Sequence, residues 1–160
     1  MKIKYIIIKM LSLSILLIGN QTFGSTAFKI VKPSNKIGDG RCYMNECSYS
    51  KIVSSKIIKQ DHKETRVRVS LLGGSSYNEN GNYPSFGIPP KNIQWNKESH
   101  QVTAICSYKN PAIVMGNQVD DLDFSMIPGV LESSANLYFE ICHNFYNGYY
   151  QGAKKFGYVN

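Results

Sequence analysis

The stretch TRVRVSLLGG, residues 65–74, decides the fold class. Val67, Val69 and Leu71 alternate with Arg66, Arg68 and Ser70, the clearest two-residue period in the chain. Successive side chains of a strand point to opposite faces, so the pattern reads as a strand with one face in a core and the other in water. The Gly73-Gly74 pair is expected to end it and release a long irregular loop. On its N-terminal side, SYSKIVSSKIIKQ (48–60) is ambiguous between strand and helix. Tyr49, Ile52, Val53, Ile57 and Gln60 share a helical face, whereas the β-branched residues and serines favour a strand. The polar turn DHKE (61–64) and the clean strand after it favour a β-hairpin.

Beyond the glycine pair, SSYNENGNYPSFGIPP (75–90) is almost entirely turn-forming, with Tyr77, Tyr83, Phe86 and Ile88 interspersed. A loop of this length in a compact domain is uncommon and is usually functional or disordered. Residues 93–96 (IQWN) read as a short strand, NKES as a turn and HQVTAICS (100–107) as another strand, a second hairpin with Ile93 and Trp95 on one face. AIVM (112–115) after Pro111 reads as a short buried strand, and VDDLDF (119–124) as one more. Pro128 and Gly129 break the pattern, and a helix is expected to follow with Ser133 or Ser134 as N-cap. Leu137, Ile141, Cys142 and Phe145 mark its apolar face, and Gly148 its stop.

The expected fold is α+β: a small antiparallel sheet of two or more hairpins, with a C-terminal helix packed on one face. The single domain spans 42–148. Residues 28–41 form a flexible N-terminal arm, and 149–160 (YYQGAKKFGYVN) an aromatic, basic tail without periodicity.

The compartment is read from the first residues. Lys2, Lys4 and Lys9 form a positive n-region, MLSLSILLIG (10–19) an apolar run, and NQTFGSTA a short polar segment with small residues. This is the layout of a secretory signal peptide over 1–24, cleaved after Gly24 or Ala27. The run is short for a spanning helix, so no integral membrane segment is expected after cleavage. The formal net charge of +7 falls to +4 from Ser25 onward, where 15 basic residues face 11 acidic ones. That is an ordinary surface and gives nucleic-acid binding no support.

Cys42, Cys47, Cys106 and Cys142 all follow the leader. An even count in an exported chain reads as two disulfides. The favoured pairing is Cys42 with Cys47, closing the tight loop CYMNEC, and Cys106 with Cys142. The second bridge encloses about 37 residues and is worth roughly 3–4 kcal/mol on the chain-entropy account. A crossed pairing is the main rival. Without C-x-x-C spacing, a zinc site is not favoured.

The segments C-x4-CSYSK, LLGGSS, IQWNKESH and ICSYKNPAIV together resemble a family of uncharacterised small exported proteins of Gram-negative bacteria. The resemblance covers most of the mature chain. It implies a periplasmic or secreted location and a single domain, and carries no activity.

No pattern selects a catalytic residue, a metal ligand or a cofactor. His62, His100 and His143 lie in no G-x-S-x-G or H-E-x-x-H context, so surface or turn roles are expected for them. Asp120, Asp121 and Asp123 are the densest acidic cluster, but in an extended chain Asp120 points away from the other two, and the glycine of a calcium loop is missing. Glu98, Asp121, Asp123, Glu132 and Glu140 could supply paired carboxylates, yet nothing in their spacing selects a pair.

What remains is aromatic surface, since the chain carries 11 tyrosines. Tyrosine offers a large contact area at low entropy cost, and its hydroxyl tolerates water. Tyr77, Tyr83, Phe86 and Trp95 are therefore the candidate binding residues. The alternative is that Tyr77, Tyr83 and Phe86 pin the loop to the sheet. The expected function is a non-enzymatic, disulfide-stabilised binding protein of the bacterial envelope, of the inhibitor or immunity type. Its partner would be another protein, such as a toxin or wall hydrolase. A cell-wall glycan module using Tyr77, Tyr83 and Trp95 is one alternative; a small hydrolase built on His100 or His143 is another.

Overall fold

A computed structural model describes residues 28–79, 82–85 and 88–160. The expected signal peptide and its cleavage sites lie outside the described residues, as does Phe86. Strand β1 (Gly38–Tyr43) turns through Met44 and Asn45, both at positive φ, into β2 (Glu46–Gln60). The 61–64 turn leads to β3 (Thr65–Tyr77), and Asp61 shapes it by accepting the backbone N–H of Lys63 and Glu64. There follow β4 (Gln94–Trp95), β5 (His100–Cys106), β6 (Ala112–Met115), β7 (Gln118–Asp121), α1 (Glu132–His143) and α2 (Tyr149–Lys155).

The hairpin of β2 with β3 is present as expected, with Ile52 opposite Leu71 and Ile57 opposite Val67. So are the 112–115 strand and the disulfides Cys42–Cys47 and Cys106–Cys142. The sheet is larger than expected and curls into a half-barrel, seven strands in the order β1-β2-β3-β5-β6-β7 with β4 beside the far end of β3. Two register shifts in β2, at Val53 and at Ile58, are bulges that push those side chains outward and strengthen the local twist.

Several expectations are corrected. Gly73-Gly74 does not end β3, which runs on to Tyr77. The pair instead makes room: a Cβ on Gly74 would lie 2.7 Å from the Trp95 ring and 2.8 Å from Ile93. Accordingly 93–96 and 100–107 do not form a hairpin with each other. Both run antiparallel to β3, Trp95 opposite Gly74 and His100 opposite Leu71, as one interrupted strand.

Residues 28–41 are not a free arm either. Val31 is 1% exposed, donates its N–H to the Ile141 carbonyl at 2.9 Å, and is followed by edge strand β1. Gly148 is not the stop of α1, which ends at Asn144 in the left-handed conformation, a role asparagine tolerates. Nor do Ser133 or Ser134 cap its start, since Leu131 is the N-cap. The tail is not irregular: α2 packs on α1 so closely that a Cβ on Gly152 would lie 2.6 Å from the Phe139 ring.

Helix α1 fills the hollow of the sheet, with Val67, Val69, Val102, Ala104 and Ile113 meeting Ala135, Phe139 and Ile141 in one core. It is buried on every side from Ser134 to His143, rather than lying with one face on a flat sheet. A helix enclosed all round must satisfy its polar side chains inside the protein. Ser134 donates to Asp120 at 2.6 Å, Asn136 accepts the N–H of Tyr149 at 2.7 Å, and Glu140 accepts the Ser50 hydroxyl at 3.2 Å. Among the described residues, no helix is long and apolar enough to cross a membrane.

Candidate functional site

Two places combine exposure or a cavity with built chemistry. The first is the end of the sheet where β1, β2 and β3 finish. Tyr43 faces Glu46 across the disulfide-closed turn, and Glu46 in turn pairs with Tyr77. Tyr43 is 56% exposed, Met44 76%, Tyr77 65% and Tyr83 44%, although each has apolar area to bury. The Arg41 guanidinium lies over the Tyr43 ring at 4.6 Å. Backbone bonds tie the long loop to the turn: Asn78 N–H reaches the Asn45 carbonyl, and Asn45 N–H reaches the Tyr83 hydroxyl at 3.4 Å. Pro84 closes a small recess beside Cys42 and Tyr49.

The loop is therefore a surface whose base is anchored. Tyr83 serves both readings, as a strut through its hydroxyl and as an exposed ring. Tyr77 presents its ring to solvent. Trp95, half-buried across Gly74, packs against the strand instead. Tyr43 and Met44 were missed because a six-residue disulfide loop reads as a staple. Met44 lies in the positive-φ turn and Tyr43 ends the strand before it, and both are exposed.

The second place is a cleft of about 400 Å³ between the concave sheet and α1. Leu71, Met115 and Leu137 supply apolar walls, while Asp39, His100 and Glu140 bring titratable groups. Glu140 is 2% exposed, and burial pushes its carboxyl up to about 8, with the Ser50 hydroxyl opposing and the Asp39 charge adding. The chain bends close over it at Gly38, where a Cβ would collide with the carboxylate. Glu140 stood among five candidate carboxylates in the sequence; its neighbour Asp39 did not, because register, not spacing, brings β1 over α1.

The three histidines go to different places. His62 is exposed at the hairpin turn, and His100 is exposed at the rim of the cleft. His143 is buried, and burial lowers it to about 4, so it is neutral at physiological pH. Its ring stacks on Phe156 at 4.0 Å, and its Nε2 meets the Tyr158 hydroxyl at 3.0 Å. Tyr158 continues to Tyr138 at 2.7 Å, and Tyr138 donates to the Ser107 carbonyl at 3.0 Å. Burial raises both tyrosines, so this chain of neutral groups is a structural network around the Cys106–Cys142 bridge, with no carboxylate in it.

The acidic cluster does not converge. Asp120 turns inward to Ser134 and Gln118, Asp121 is exposed, and Asp123 receives Ser125 in a local turn that lowers it. Comparison with protein-family models, with curated proteins and with solved structures gives no match to this chain.

Proposed function

We propose that this protein is an exported, non-enzymatic binding protein of the bacterial envelope that recognises another protein, as an inhibitor or immunity-type partner does. The observation that carries the reading is the exposed cluster Tyr43, Met44, Tyr77 and Tyr83, fixed to a disulfide-closed turn. Aromatic residues, methionine and arginine are the types enriched at the centres of protein interfaces. A crosslinked turn bonded to the adjoining loop reduces the ordering entropy that association must overcome. Two disulfides support a location outside the cytoplasm, where such bonds persist. The enzyme alternative required a histidine in hydrogen-bond reach of a carboxylate and a nucleophile. His143 instead bonds to Tyr158 inside an aromatic cluster, which argues against that alternative for this residue.

The test is capture from native envelope extract by the oxidised protein and by a variant carrying Tyr43→Ser, Met44→Ser and Tyr77→Ser. These side chains are exposed, so the melt is expected to stay within a few degrees. A partner retained by the parent and lost by the variant supports the assignment. Equal retention removes this face as the contact. Quenching of Trp95 emission by peptidoglycan fragments, with no protein partner, would favour the glycan alternative.

A further inference from the structure

Strand pairing sets the water-facing side chains of β2, β3 and β5 in rows on the convex face of the sheet, away from α1. Residues directly opposite each other in an antiparallel pair share a face. Arg66, Arg68 and Ser70 alternate with the core residues Val67, Val69 and Leu71, so they lie on that face. Lys56 stands opposite Arg68, and Lys59 opposite Arg66. Like charges placed directly across two strands are destabilising. The second pair is bridged, since Glu64 meets Lys59 Nζ at 2.9 Å and Arg66 Nε at 2.7 Å. The first is not. Lys56 and Arg68 are exposed and have no ion pair among the described residues.

Apolar surface flanks this unbridged pair. The two bulges of β2 turn Val53 and Ile58 outward on either side of Lys56, at 51% and 40% exposure. The row that runs from Lys56 through Arg68 and Thr103 ends in Val114 and in Val119, which is 55% exposed. Of the carboxylates on this side, Asp61 and Glu64 are engaged at the hairpin turn, and Asp121 stands at the far edge on β7.

We propose that this convex face docks on a bilayer surface containing anionic phospholipid, with Lys56 and Arg68 at the headgroup phosphates and Val53 and Ile58 toward the acyl boundary. Charge complementarity sets the sign of the partner, because two adjacent cations without a counter-charge attract an anionic surface. The residue types favour lipid over an acidic protein. Protein interfaces are enriched in aromatic residues and depleted in lysine, whereas cations beside exposed apolar side chains engage a headgroup layer. Lipids also diffuse to fit a convex surface, which a rigid partner would have to match in shape. The inference goes beyond the protein-partner reading and does not depend on it. Arg68 and Tyr77 lie about 30 Å apart along β3 at the rise of a strand, so docking leaves the aromatic end free.

The experiment is co-sedimentation of the full oxidised protein with vesicles of phosphatidylglycerol and phosphatidylcholine in about equal parts, and with vesicles of phosphatidylcholine alone. Only the anionic vesicles are expected to retain it, with retention falling as added salt screens the charges. Lys56→Gln with Arg68→Gln is expected to weaken partitioning about 25-fold, at about fivefold per charge. This variant relieves a like-charge pair, so its melt should not fall. Ile58→Ser is expected to weaken binding severalfold and leave the salt dependence unchanged. Lys154→Gln with Lys155→Gln removes the same charge from exposed positions on α2, which packs on the concave side, and should leave binding nearly intact. Equal retention by phosphatidylcholine overturns the proposal, as does absence of retention by either vesicle. Equal losses in the two double variants overturn it too, by reducing the effect to net charge. Capture by soluble polyglutamate that leaves the anionic vesicles empty overturns it in favour of an acidic protein partner.

Discussion

Replacing Glu140 by glutamine should make the protein more stable, and increasingly so as pH rises. In the folded state this carboxyl is enclosed between α1, Gly38 and Ser50, and burial lifts it from 4.5 to about 8. The unfolded chain releases the proton near pH 4.5, whereas the folded chain keeps it until about 8. Between those values the unfolded state carries fewer protons, so each pH unit lowers folding stability by about 1.4 kcal/mol. The accumulated loss has a ceiling of about 5 kcal/mol by pH 8, reduced by whatever relaxation of α1 lets water reach the group. Below pH 4.5 both states are protonated and the contribution vanishes.

Glutamine does not titrate, and its amide oxygen can accept the Ser50 hydroxyl as the carboxyl does now. Any fixed cost of the new amide group shifts the curve without tilting it. Urea unfolding of both oxidised proteins, at unit steps from about pH 4 to about pH 8, isolates the slope of their difference. Other titrating groups, His143 among them, contribute to both proteins and cancel. A stability difference that stays level across this range would refute the assignment of Glu140 as a carboxyl held neutral by burial.

Three further outcomes are expected. Converting Cys106 and Cys142 to serine should cost roughly 3–4 kcal/mol in urea unfolding, against about 2 kcal/mol for Cys42 and Cys47, because the Cys42–Cys47 loop is much shorter. Gly152→Ala places a methyl 2.6 Å from the Phe139 ring, so overpacking should cost about 1–3 kcal/mol in the thermal melt and weaken the near-ultraviolet aromatic signal. His143, held neutral by burial with its pKa lowered to about 4, makes stability fall as pH drops from 6.5 toward 4, since the unfolded chain takes up the proton first. His143→Phe should remove that part of the acid sensitivity, read as a higher melt at pH 5 relative to pH 7.

How far the fold could be read in advance depended on how local its causes are. The alternation through Val67, Val69 and Leu71 is a property of neighbours in sequence. It predicted β3 and its inward face, and the polar turn before it favoured β2 as a hairpin partner. Hydrophobic content and Pro111 sufficed for β6, and cysteine spacing favoured the pairing that is present. The glycine pair misled because glycine has two uses. It breaks strands, and it also lets another segment cross at close range, as Trp95 does at Gly74. Only the partner segment reveals which use applies.

The candidate sites divide in the same way. Tyr77 and Tyr83 were marked by their place in an irregular loop, whereas Tyr43 and Met44 join them only because the turn at Met44 and Asn45 and the loop bonds set them side by side. Glu140 could not be distinguished from other carboxylates until the curl of the sheet enclosed α1 on all sides. The sequence by itself determined the alternating faces, the hairpin and the number of thiols to be paired, because each follows from residue type and short spacing. The tertiary structure alone decided which side chains lose water, and the acidity of Glu140 and the neutrality of His143 follow from that loss, since charge is governed by surroundings that distant parts of the chain assemble.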